Sequence, residues 1–86
     1  MATTTSEVGT TPQPSRAALA AAITTALTDA GISRLEASKR THIPRETFYR
    51  KCRAGSPFDS DELAALADTL GITVSALVAR AEQVAA

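Results

Sequence analysis

Pro44 sits inside a stretch, Ser33 to Gly55, that is otherwise made of helix-compatible residues, and it decides what that stretch can become. A proline has no amide hydrogen, and its ring collides with the carbonyl one turn earlier, so a helix arriving from Ser33 cannot run through it. With φ already fixed near the helical value, the same residue suits the first turn of a new helix. The residues SRLEASKRTHIPRETFYRKCRAG therefore read as two short helices joined by a tight corner at His42-Ile43-Pro44. The first ends near Arg40 or Thr41, and the second runs from about Pro44 to Arg53, closed by Ala54-Gly55.

Similar punctuation divides the rest of the chain. Leu19, Ile23 and Leu27 fall four apart with Ala22, Ala26 and Ala30 beside them, which makes one apolar stripe on a helix starting at Arg16. Ser15 caps its start, and Gly31 stands where a left-handed residue would end it. Ser33 and Glu36 have the spacing of a capping box for the next helix, in which Leu35 and either Ala37 or Ser38 point inward. Asp59 and Glu62 repeat the box at the head of a fourth helix, with Phe58 set to pack on Leu63. That helix buries Leu63, Leu66, Ala67 and Leu70 and stops at Gly71, after which Thr73 caps a fifth whose Val74, Leu77, Val78 and Ala81 share a face.

The aromatic residues are only Phe48, Tyr49 and Phe58, so the core must come from Leu, Ile, Val and many Ala. No alternating β-branched run and no Asn-Gly hairpin turn is present. An all-α, five-helix domain over residues 16–86 is the expectation. Residues 1–15, rich in Thr with two Pro and one Gly, have almost nothing to bury and read as a disordered tail.

The formal net charge is zero, which by itself argues against an anionic partner. The distribution says otherwise. Seven of the nine Lys and Arg (Arg34, Lys39, Arg40, Arg45, Arg50, Lys51 and Arg53) lie between Ser33 and Gly55, against Glu36 and Glu46. Residues 57 to 86 carry Asp59, Asp61, Glu62, Asp68 and Glu82 against Arg80 alone. A dipolar domain of this kind presents a basic face to a polyanion while its far side stays acidic.

On the helix after Pro44, Thr47, Phe48 and Cys52 fall on one face with Ile43 just before them, and Arg45, Glu46, Tyr49, Arg50 and Arg53 fall on the other. Such a basic face is either simply solvated or a reader of the DNA major groove. Two features favour the second. The leading end carries an Arg, able to reach guanine bidentately, and a Glu, able to accept from cytosine. The preceding helix adds Arg34, Lys39 and Arg40, placed to grip phosphates.

Other chemistry is poorly supported. One His and one Cys cannot assemble a structural zinc set, and capping accounts for the Asp59, Asp61 and Glu62 trio. Cys52 reads as a small core residue, with no internal disulfide partner. No nucleophile elbow, phosphate-cradling loop or paired buried carboxylates are visible, so no enzyme activity, cofactor, metal or small-molecule ligand is expected. No apolar run approaches the roughly 20 residues of a membrane span, and the N-terminus lacks the layout of a signal peptide, so the expected location is the cytoplasm.

These residues also carry a resemblance. Gly31-Ile32-Ser33-Arg34, then Ser38, His42-Ile43, Thr47-Phe48, Gly55, and Leu66-Ala67-Asp68-Thr69-Leu70-Gly71-Ile72 resemble the helix-turn-helix family of phage Cro proteins, lysogeny repressors and their bacterial relatives. IPRETFYRKCRAG-SPF-DSDELAALADTLG is close to the actinobacterial and phage-borne subset. Arg34 stands where Gln is usual, Ser38 where Ala is usual, and His42 where Gly is commonest.

The resemblance implies a lambda-repressor-like domain that binds a double-stranded DNA operator and regulates transcription. Arg45, Glu46 and Tyr49 would meet bases, while Arg34, Lys39, Thr47, Arg50, Lys51 and Arg53 would contact the backbone. It also implies a homodimer, at least on DNA, for which Leu77, Val78, Ala81 and Val84 are the expected surface unless the small core takes the same residues. The alternative is a protein-binding module, either antitoxin-like or directed at a host factor.

Overall fold

The computed structural model describes residues 15–85, and the tail expected over residues 1–15 lies, apart from Ser15, outside them. Five helices follow in order: α1 (Arg16–Asp29), α2 (Arg34–Thr41), α3 (Arg45–Cys52), α4 (Ser60–Leu70) and α5 (Val74–Ala85). No strand occurs among the described residues.

The predicted caps form. Ser15 Oγ accepts the Ala18 N–H at 3.0 Å, Ser33 Oγ the Glu36 N–H at 3.1 Å, and Thr73 Oγ1 the Ala76 N–H at 3.0 Å. The box at α4 is closed from both sides, with the Glu62 N–H on Asp59 Oδ1 and the Asp59 N–H on Glu62 Oε1, each at 2.8 Å. Each cap satisfies an amide that the first turn of a helix leaves without a partner, a contribution of about 1 kcal/mol.

Helices α1 to α4 all stop in the same way, on a left-handed residue whose N–H and the next residue's N–H fold back onto carbonyls of the last turn. At α1 the residue is Gly31 and at α4 it is Gly71, as their backbone freedom suggests. At α2 it is His42 (φ 60°), and at α3 it is Ala54 (φ 62°), the first residue of the expected Ala54-Gly55 stop. The two helices on either side of Pro44 thus both end on a side chain that must tolerate a conformation costing roughly 1–2 kcal/mol.

Helix α1 is the centre of the fold. Ala18, Ala20, Ala22, Ile23, Ala26 and Leu27 are buried, an arc of about 200° at 100° per residue and so wider than the single stripe read from the sequence. It packs most extensively on α5 and also meets α2, α3 and α4. Its small side chains let the partner backbones come close. The chain turns through 97° between α4 and α5, and no single described helix is long and apolar enough to cross a membrane.

Ile23, Leu27, Phe48, Leu66 and Leu77 are the large side chains with no effective exposure, and the Phe48 and Phe58 rings meet edge to face at 6.0 Å. Two expectations fail here. Leu35 is 40% exposed, because α2 turns Ala37, Ser38 and Thr41 to the interior instead. Leu77 and Ala81 are fully buried under α1, so they complete the core of the single chain and are not available to the expected dimer surface.

Candidate nucleic-acid interface

Helix α3 is anchored by one side chain. Phe48 is its sole buried residue, and Ile43 just before it is buried too, so the helix docks on α1 and α2 along one narrow edge. The opposite side is open. Glu46, Arg50 and Arg53 are exposed on it, Arg45 is exposed at the helix's first position, and Arg34 and Lys39 are exposed on α2.

Two of the seven cations in this region are neutralised locally. Arg40 Nε donates to Glu36 Oε2 at 2.9 Å one turn away. Lys51 Nζ reaches both carboxylate oxygens of Glu62 at 2.6 Å, with both side chains nearly covered at 13% and 16% exposure. Glu62 is the same carboxylate that closes the α4 capping box, so one side chain fixes the head of α4 and ties it to the tail of α3. Lys51, expected as a DNA-backbone contact, is here paired with a carboxylate 11 residues away.

The other five cations, Arg34, Lys39, Arg45, Arg50 and Arg53, make no ion pair among the described residues. They give the α2–α3 face a positive field that only Glu46 interrupts on α3. Tyr49 differs from the sequence reading. It is half-buried and packs against the core, because the residue one register step from Phe48 falls at the boundary of the docked edge. Thr47 is half-buried as well, on the other boundary.

Cys52 is half-buried near Thr24, Arg34 and Arg53. Burial pushes its thiol up from the ordinary range, and the two guanidiniums and the Thr24 hydroxyl only partly offset this. Ser56, which carries no signal in the amino-acid pattern, joins the site through its Oγ, which accepts from Arg50 Nε at 3.4 Å. Among the described residues, no three His, Cys, Asp or Glu side chains come together as a metal-ligand set.

No protein-family model matches the chain, and no curated protein matches it either. Among solved structures it is similar to the crystal structure of the clp gene regulator ClgR from Corynebacterium glutamicum, at 25% identity and a TM-score of 0.76. The likeness covers 86% of this chain and 81% of that one. The all-α fold described above is thus shared with a bacterial gene regulator over nearly all of its described length.

Proposed function

We propose that this chain binds double-stranded DNA at specific sites and regulates transcription, with α3 lying in the major groove. The observation that carries the reading is the uncovered side of α3: Phe48 holds the helix from behind while Glu46, Arg50 and Arg53 face outward and Arg45 is exposed at the leading end. The likeness to a clp gene regulator supports the same class of activity. Arg45 and Glu46 read base edges at the leading end, and the exposed part of Tyr49 meets a thymine methyl. Arg34, Lys39, Thr47 and Arg53 hold the sugar-phosphate backbone on either side. Lys51 keeps α3 and α4 together instead.

The finer reading is a Cro- or repressor-like regulator of phage or mobile-element type, acting in the cytoplasm of a bacterial host, and it draws on the IPRETFYRKCRAG pattern. Two copies would occupy half-sites about 34 Å apart. Of the expected dimer surface, Val84 at the end of α5 is 51% exposed and Val78 is half-buried.

Selection of bound duplexes from a random pool, using the full chain, tests this directly. The expected result is one enriched motif with two half-sites a helical turn apart and an affinity that falls steeply with salt. Arg45→Ala should relax choice at one base pair by ~1–3 kcal/mol, whereas Arg53→Ala should weaken all sequences alike and lower the salt slope by roughly one unit. A chain that enriches no duplex and binds none at low salt overturns this reading, and binding to a protein without affinity for any duplex would favour the protein-binding module.

A further inference from the structure

We infer that Arg50 reads a guanine, and that Gly55 and Ser56 hold its side chain ready to do so. This rests on the DNA-binding reading of α3 and replaces the phosphate contact that the resemblance implies for Arg50. The first support is register. Arg50 stands two residues after Phe48 and two before Cys52, so at about 100° per residue it points directly away from the midpoint of the pair that faces the interior. No other position on α3 is better placed to reach the floor of a groove.

The second support is the glycine after the helix. Ala54 takes the left-handed conformation, so the backbone does not demand a glycine at 55. Space does. A Cβ there would sit 2.7 Å from Arg50 Cγ and 3.1 Å from the Arg50 carbonyl oxygen, the oxygen that accepts the Gly55 N–H at 2.8 Å. The turn therefore slides under the stem of Arg50 and supports it.

The third support is the head group. Arg50 Nε donates to Ser56 Oγ, and among the described residues neither terminal nitrogen has a partner. With Nε turned toward Ser56 Oγ at 3.4 Å, the long end of the hydrogen-bond range, the guanidinium offers its two Nη groups end-on as a fork, which matches guanine O6 and N7. A phosphate needs no such aim, because it accepts from many directions and a mobile Lys serves as well. Holding the fork in place beforehand reduces the entropy lost when the contact forms.

The full chain and its variants are compared on the enriched duplex and on a panel with each base in turn at every position. The unsubstituted chain should require guanine at one position of the site. Arg50→Lys keeps the charge and loses the fork, so the preference for guanine there should fall roughly tenfold or more while affinity for unrelated duplex stays within a fewfold. Gly55→Ala should lose the same preference with Arg50 intact, Ser56→Ala should lose part of it, and Ser56→Thr should restore it. If Gly55→Ala fails to fold, the Ser56 pair and Arg50→Lys decide. A uniform loss across all duplexes in Arg50→Lys, with base choice unchanged, overturns the assignment while leaving DNA binding intact. Absence of specific duplex binding in the unsubstituted chain overturns the DNA reading itself.

Discussion

The pair α1 and α5 and the pair α2 and α3 are both helical, yet they are held in place by different means. Helix α1 has 14 residues and α5 has 12, and they pack over a broad seam of alanines with Ile23, Leu27 and Leu77. Helices α2 and α3 have eight residues each, short of the length at which a helix persists alone in water. Between them they bury only Ala37, Ser38, Thr41 and Phe48. The broad seam satisfies the molecule's need for a core, and that frees the short pair to leave half of its residues exposed. An exposed face of cations is tolerated where burial is supplied elsewhere.

The contrast breaks most easily at Phe48. Phe48→Ala should cost about 3–5 kcal/mol in urea or thermal unfolding, a large share of the stability of a domain this small, whereas Val84→Ala at the end of α5 should move the midpoint by under about 0.5 kcal/mol. Equal midpoints for the two variants would mean that α3 is not held through its single anchor.

The ion pair between α3 and α4 sharpens the comparison next. Lys51→Ala should lower stability by about 1–2 kcal/mol, since it leaves the Glu62 carboxylate without its nearly covered partner. The salt dependence of duplex binding should not change. Unchanged stability with a shallower salt slope would return Lys51 to the phosphate contacts. Smaller still are the effects at the helix ends. Ala54→Gly and His42→Gly should each stabilise by up to about 1 kcal/mol by relieving a left-handed side chain. Destabilisation by both would contradict those backbone conformations.

The smallest effect belongs to Cys52. Its proton is held more tightly in the folded chain than in the unfolded one, so the stability it contributes is present at neutral pH and lost as pH rises through the folded value. Cys52→Ala should flatten the alkaline fall in thermal midpoint. An unchanged alkaline fall would place its origin in other groups.

Ser15, Ser33, Asp59 with Glu62, and Thr73 were readable as caps because a cap is a bond between residues three apart, and no other part of the molecule takes part in it. Gly31 and Gly71 were readable for a related reason, since a left-handed stop depends on one residue's own sterics. The uncovered basic side of α3 was partly readable: periodicity placed Phe48 against Arg50 correctly, but misplaced Tyr49 at the boundary, where small rotations decide burial. Periodicity says that two faces differ. It does not say where a neighbouring helix will stop covering one of them.

The amino-acid order alone determined the five helices, their ends, and the gathering of cations between Ser33 and Gly55, because each depends on contacts within a few residues or on composition. Only the assembled fold decided that Leu35 faces water, that Leu77 and Ala81 belong to this chain's own core, that Lys51 is spent on Glu62, and that Gly55 makes room for Arg50. Those outcomes turn on which surfaces meet after the helices have formed, and α1 reaches partners from every other helix only once the chain has closed around it.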